Sequence, residues 1–293
     1  MLTSTNVWMS LLGIVYLVAG VFVRRRELSA AHGLDKFIAL GPLFIAASLA
    51  TFAPEHFVGP AFVKQMVPKW MPGGVFWAYF VGCALVAAAT SLTLRKFERL
   101  SSTLLGLMFF LFVCMIYLPS LIRHPTVWLA WAILCRDLTF AGGTSALAGF
   151  YRQSKFLVTF GRIAVAVAAI VFGVDYFLHP ALAPGVPLQL KTPSWVPLPM
   201  VWTYLTAAIL LAGGIALLLN KRWGAVAIGV LMTVITLFPY TVMLIRALSG
   251  SPDDINEALN YVADTLLYAG AALALASAMP IAARNWRATT GAS

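Results

Sequence analysis

Nine runs of about 20 apolar residues follow one another along this chain, and they limit its fold more than any other feature. A run of that length can cross a bilayer as an α-helix, which satisfies its own backbone hydrogen bonds where there is no water. Charged residues make up only 10% of the chain, whereas soluble proteins have about a quarter. The sequence therefore predicts an all-α protein, a polytopic transmembrane helical bundle with about nine spans. The predicted spans lie near residues 7–23, 37–53, 74–94, 103–122, 127–149, 160–178, 200–219, 224–246 and 260–282.

The basic residues are distributed unevenly between the two sides that these spans define. Fourteen fall in the connections after spans one, three, five, seven and nine, and five fall in the other connections. Short loops rich in lysine and arginine stay in the cytoplasm. We therefore expect a multi-pass protein of the bacterial inner (plasma) membrane, with the N-terminus outside and the C-terminus cytoplasmic. The net charge of +10 reflects this topology, so the lipid bilayer is a predicted partner and nucleic acid is not.

A motif of prolines and aromatic residues occurs twice with identical spacing, P-x-W-x-P-x-x-x-x-W-x-Y, at residues 68–79 and 193–204. The similarity continues in the next helix of each copy, where a glycine is followed eleven residues later by Tyr117 or Tyr240. Each copy contains four predicted spans, an even number, so both copies cross the membrane in the same direction. We predict two parallel four-helix repeats and one additional helix. The predicted divisions are an N-terminal helix with a basic cytoplasmic loop, a first unit and a second unit, at residues 1–33, 34–155 and 156–293.

The second unit resembles the DoxX-like family of small four-helix membrane proteins. The resemblance is carried by "FLHP" at the end of its first helix, by the P-x-W-x-P loop before "VWTYLTAAILLAGGIALLL", and by "YAGAALALAS" in its last helix. Residues 34–149 resemble the family as a more divergent copy. Members of this family have been linked to thiosulfate:quinone oxidoreductase subunits and other membrane redox complexes. The resemblance therefore implies a membrane subunit with protein partners, and quinone as a candidate cofactor.

Several ionisable and aromatic residues are predicted to meet on the outer side. Asp175 and His179 are four residues apart on one helix face, and Glu55 and His56 end the corresponding helix of the first unit. We expect an outward-facing pocket bordered by Asp175, His179, Arg246 and Trp195, with a degenerate copy in the first unit. The alternative is a set of solvated charges at the rim. The first-unit copy and its neighbourhood comprise Glu55, His56, Arg123, Trp70 and Asp264.

Arg136 and Asp137 lie near the middle of the fifth span, where charges are costly. Because adjacent residues point about 100° apart on a helix, we expect each to pair with a group on another helix and not mainly with its neighbour. They form either a buried polar network that fixes the bundle or a site for a ligand or a proton. No metal site is expected, because the histidines lack metal-binding spacing and the three cysteines each lie singly in apolar spans.

The sequence leaves three functions open. The first is a DoxX-like membrane subunit, non-catalytic or binding a quinone or lipid, within a membrane complex that could be a redox complex. The second is a carrier for a small or lipidic molecule, with its path between the two units. The third is a membrane-embedded oxidoreductase that uses the histidines and carboxylates of the outer side.

Overall fold

A computed structural model describes the backbone of residues 4–185 and 190–290, and the side chains of residues 12–185 and 190–279. This part of the chain forms nine long helices, several short helical turns and one isolated β-bridge. The long helices are α1 Ser4–Val23, α2 Gly41–Val58, α3 Val75–Leu94, α4 Glu98–Arg123, α5 Trp128–Arg152, α6 Lys155–Leu178, α7 Pro199–Leu218, α8 Arg222–Ala247 and α9 Pro252–Thr290. The predicted all-α fold is confirmed.

Seven segments in the described part of the chain are long and apolar enough to cross a membrane, which agrees with a membrane-embedded protein. The two other predicted spans correspond to α1 and α5. Neither helix is among the seven segments. In α1 the apolar stretch with described side chains is only Leu12–Val23, and α5 carries the charged residues Arg136 and Asp137 in its apolar run. The seven segments are Leu34–Val58, Val75–Leu94, Glu98–Arg123, Lys155–Leu178, Pro199–Leu218, Arg222–Ala247 and Pro252–Met279.

Local sequence signals set several helix ends. Pro199 and Pro252 each begin a helix, at positions where the missing N–H has no partner to lose. Ser154 accepts a hydrogen bond from the backbone N–H of Leu157 and caps the start of α6. Gln153 ends α5 in the left-handed conformation, with φ 55°. These signals allow α6 to follow α5 directly, so the two helices pack side by side.

The helices pack in two similar sets. In the first set, α2 contacts α3, and α4 contacts α5; in the second, α6 contacts α7, and α8 contacts α9. The sets are joined because α2 also contacts α9, α6 also contacts α5, and α5 contacts α9. Helix α1 lies against α2 and α3. Thus α2, α5, α6 and α9 form the centre of the bundle, and most of the side chains described in α2, α5 and α9 are buried.

Helices α5 and α9 run in the same direction. Arg136 of α5 faces Asp264 of α9, and seven residues further along both helices Gly143 faces Ala271. A Cβ atom added to Gly143 would lie 2.3 Å from the Cβ of Ala271, so the contact requires a glycine. Small residues give transmembrane helices close backbone contact, which replaces the hydrophobic drive that lipid does not provide.

One end of the bundle is held by arginines, and we call it the basic end. Arg24 is buried there and donates to the carbonyl oxygen of Leu92 at 3.0 Å and to the carboxylate of Glu98. Burial alone would lower the pKa of Arg24, but Tyr151 and Glu98 outweigh it and raise that pKa above its ordinary value. The opposite end carries the connections after Val58 and Leu178 and is called the loop end below.

Candidate functional site

A cavity of about 460 Å³ lies at the loop end, between α2, α3, α4, α5 and α9. The connection between α2 and α3 covers it, with side chains from Phe62 to Met71 in its wall. Most of the wall is apolar, and it is rich in phenylalanine and methionine, which adapt well to apolar ligands. Representative wall residues are Phe52, Phe80, Met108, Phe109, Phe112 and Met115.

The polar part of the cavity is organised by Arg136. Its Nη1 donates to Oδ2 of Asp264 at 3.0 Å, and its Nη2 reaches the hydroxyl of Tyr117 at 3.4 Å. Its Nε donates to Oδ2 of Asp137 at 2.9 Å. The side chains of Asp137 and Asp264 are only 4% and 6% exposed, so both carboxylates depend on the guanidinium for a charged partner. The ion pairs hold one guanidinium at the inner end of an apolar cavity.

The expectation that Arg136 and Asp137 are not each other's main partner is wrong. Their Cα–Cβ bonds point apart on α5, as the helix geometry requires, but the long arginine side chain bends back far enough to reach its neighbour. The expectation that Arg136 also meets a group on another helix agrees with its contacts to Asp264 and Tyr117. Side-chain length, and not backbone direction, decides this pairing.

Glu55 and His56 bring a second polar edge to the same cavity from the end of α2. One oxygen of Glu55 bonds to Asn260 of α9, while Oε1 is buried and has no hydrogen-bond partner among the described residues. Nδ1 of His56 lies 3.2 Å from the carbonyl oxygen of Phe52. The cavity therefore combines three carboxyl groups with a single guanidinium.

Tyr117 reaches the cavity through an irregular turn of α4. Residues Val113–Tyr117 form a π-helical turn, and Thr236–Tyr240 form another in α8. Such turns change the direction of side chains and are frequent at functional sites. Sequence reasoning identified Tyr117 only as a repeat marker and did not identify Asn260 at all. The available signal was the spacing of eleven residues from a glycine to the tyrosine, which is the same for Tyr117 and Tyr240.

The structure places the predicted second-unit residues in two separate groups. Nδ1 of His179 lies 3.0 Å from Oδ1 of Asp175, and its ring stacks on Trp128 with 5.6 Å between ring centroids. Arg246 lies over the ring of Trp195, 4.9 Å from its centroid. Asp175 lines a cavity of about 260 Å³ together with Trp128 and other residues of α5 and α6. Neither Arg246 nor Trp195 contributes to that cavity.

The remaining candidates also separate. Glu55, His56 and Asp264 line the 460 Å³ cavity, whereas Arg123 and Trp70 do not. Arg123 is exposed and donates from Nε to the carbonyl oxygen of Pro119, and Trp70 is 71% exposed.

A wider groove of about 740 Å³ between α7 and α8 opens to the outer surface of the bundle, and Arg222 is its single charged lining residue. Within the described residues, no cluster of histidine, cysteine, aspartate and glutamate could hold a metal ion.

Comparison with known proteins gave one match. A family model with the description "Domain of unknown function (DUF8561)" matches residues 45–134, about a third of the chain. This segment includes most of α2, all of α3 and α4, and the start of α5, so it supplies Glu55, His56 and Tyr117 but ends before Arg136. No curated protein and no solved structure gave a significant match.

Proposed function

We propose that this protein is a non-catalytic membrane subunit that binds a small amphipathic molecule, such as a quinone or a lipid, in the 460 Å³ cavity. The observation that carries the proposal is a cavity with a mostly apolar wall and a polar network built around Arg136. Its volume lies within the range of about 300–1,000 Å³ that is usual for small-molecule sites. The apolar wall takes the hydrocarbon part of the molecule, and the polar end fixes its orientation.

The ion pairs around Arg136 restrain its guanidinium, which favours a role in binding a ligand. Asp137 and Asp264 hold the guanidinium in place, so it presents its remaining N–H groups in a fixed direction. A site with restrained side chains binds more tightly because less conformational entropy is lost on association. We infer that the network orients the ligand and that the wall excludes water.

The wider setting is part of the same proposal. The resemblance to the DoxX-like family favours a subunit of a membrane complex in the bacterial inner membrane, and redox proteins are the candidate partners. Two parallel four-helix repeats are supported by the matching helix contacts, the two π-turns and the common direction of α5 and α9. The distribution of basic residues supports an outer loop end and a cytoplasmic basic end.

The carrier hypothesis, with a path between the units, has weaker support. Gly143 of α5 and Ala271 of α9 are in close contact where the two units meet, which leaves no space for a solute at that level. The cavity lies mainly within the first unit.

Filling the cavity tests the proposal. Val81 lines the cavity, whereas Val86 on the same helix is 40% exposed on the outer surface. We expect Val81→Trp to reduce retention of the co-purified ligand about tenfold or more, equivalent to about 1.4 kcal/mol of binding free energy. Val86→Trp is the matched control and should retain the ligand as the wild type does. The measurement is mass spectrometry of gently extracted protein, which also detects partner chains.

Equal retention by wild type and Val81→Trp, at equal thermal stability, would show that the cavity is not the binding site. Absence of any lipophilic molecule and of any partner chain from the wild type would contradict the subunit proposal as a whole.

A further inference from the structure

The two tyrosines that end the π-turns have different surroundings. Tyr240 is buried, and its hydroxyl donates to the carbonyl oxygen of Pro184 at 2.6 Å. Tyr176 donates in the same way to the next carbonyl, that of Gly185. The hydroxyl of Thr203 donates to the carbonyl oxygen of Leu182 at 3.1 Å. The connection between α6 and α7 therefore enters the second unit and places main-chain carbonyls against its hydroxyl groups.

The first unit has no such insertion. The connection between α2 and α3 is four residues shorter than the one between α6 and α7, and it covers the cavity without filling it. In the second unit, by contrast, Ala183 and Val196 are each only 3% exposed, and Gly185 packs closely on Tyr240. The backbone of the connection between α6 and α7 thus fills the space beside Tyr240, whereas the corresponding space beside Tyr117 in the first unit is open.

Tyr117 is left with an unused donor. Within the described part of the chain, the hydrogen bond of its hydroxyl is the one it accepts from Nη2 of Arg136. A phenol that accepts one hydrogen bond still has an O–H to donate. Tyr117 is half-buried and lines the cavity, so this O–H is available to a ligand there. A ligand oxygen at this position would accept from the Tyr117 hydroxyl and lie close to the Arg136 guanidinium.

The charge of the site limits the kind of oxygen that can bind. The guanidinium of Arg136 is already matched by Asp137 and Asp264, and Glu55 adds a third carboxyl group. An anionic headgroup would therefore meet an excess of acidic groups in a medium of low dielectric constant. A neutral carbonyl group accepts the same hydrogen bonds without adding charge.

We propose that the Tyr117 hydroxyl donates a hydrogen bond to the carbonyl oxygen of a neutral amphipathic molecule, close to the Arg136 guanidinium and in the position that the Pro184 carbonyl takes beside Tyr240. The molecule is a quinone or an acyl ester, which share this carbonyl chemistry and carry an apolar chain for the cavity wall. This inference rests on the proposed function, because it requires that the cavity binds an amphipathic molecule.

Binding is measured with brominated probes and the full-length protein in lipid nanodiscs. Bromine quenches tryptophan fluorescence on contact, and Trp77 lines the cavity, so the difference from Trp77→Phe reports occupancy. The probes are a terminally brominated fatty-acid methyl ester, the same acid as its anion, and a brominated alkane of matched length. Decylubiquinone, which competes with the alkane, represents the quinones.

We expect the ester or the quinone to bind about five- to tenfold more tightly than the alkane, the effect of one hydrogen bond. In Tyr117→Phe, the carbonyl probe should bind no more tightly than the alkane, while alkane binding stays unchanged and shows that the cavity is intact. Tyr204→Phe is the matched control, because Tyr204 is exposed in the second unit, and it should leave all affinities unchanged. The probe that depends on Tyr117 identifies the source of the carbonyl.

Three results would overturn the inference: equal affinity for carbonyl probes and alkane in the wild type, tightest binding of the anion, or carbonyl binding that survives Tyr117→Phe. In each case the alkane still enters the cavity, so the proposed function stands. If none of the probes reaches Trp77, both the inference and the proposed function are wrong.

Discussion

Arg136 is the residue on which the polar end of the cavity depends. It joins α5 to α9 through Asp264 and to α4 through Tyr117, so one side chain connects three helices. Removing one partner of a buried ion pair leaves the other charge without compensation, which is more costly than never having had the pair. The network therefore stabilises the native arrangement only while all its members are present.

We predict that Asp264→Ala lowers the free energy of unfolding by about 2–4 kcal/mol, because it leaves Arg136 with one carboxylate fewer in an apolar environment. Asp175→Ala is the control, since its partner His179 is 42% exposed and exposed pairs contribute about 1 kcal/mol or less. Thermal unfolding of the two variants in the same detergent measures the difference. A loss no larger for Asp264→Ala than for Asp175→Ala would contradict a stabilising network.

At the scale of elements, the contact between α5 and α9 sets the geometry of the site. It brings Arg136 to Asp264, and it depends on Gly143, where a side chain would overlap Ala271. Overpacked cores lose roughly 1–3 kcal/mol because backbones must separate. The polar end of the cavity and the contact between the two sets of helices are thus built by the same pair of helices.

We predict that Gly143→Val destabilises the protein by at least about 2 kcal/mol and also weakens ligand retention, because α5 and α9 must move apart. Ala87→Val provides the comparison, since Ala87 is exposed on α3 and an added side chain there meets no neighbouring helix. Thermal stability and retained ligand are measured together. Normal values of both in Gly143→Val would show that the close contact is not required.

The positions of the helices could be predicted from sequence, as could Glu55, His56 and Asp264 in the cavity wall, but the sequence predicts the main pocket in the second unit. Apolar runs and prolines indicate where helices lie, because each signal is local. The predicted pocket in the second unit needed Arg246 near Asp175, but Arg246 stacks on Trp195 while Asp175 faces Trp128 and its partner His179. Whether a connection covers a cavity or fills it depends on its length and path, which no motif in the chain specifies.

In the whole molecule, the two sets of helices make similar contacts, but one set encloses a cavity where the other encloses part of a connection. The sequence repeat predicted parallel units, and α5 and α9 run in the same direction. In the proposed repeat, Arg136 and Asp264 occupy equivalent positions, and here the arginine on one helix faces the aspartate on the other. An arginine at both positions would place like charges together inside the membrane. The ion pair joins the two sets of helices, and in the proposed repeat the open cavity occupies one of two equivalent sites.

The orientation of the molecule decides from which side the cavity can be reached. Lys69 at the loop end and Lys96 at the basic end are both exposed, so each can be replaced by cysteine without disturbing the core. Because the basic end is predicted to be cytoplasmic, Lys69→Cys should react with a membrane-impermeant maleimide in intact cells. Lys96→Cys should react only after the membrane is opened. The protein without an added cysteine gives the background from its own three cysteines. The reverse pattern would place the loop end in the cytoplasm, and the covered mouth of the cavity would then face the cell interior.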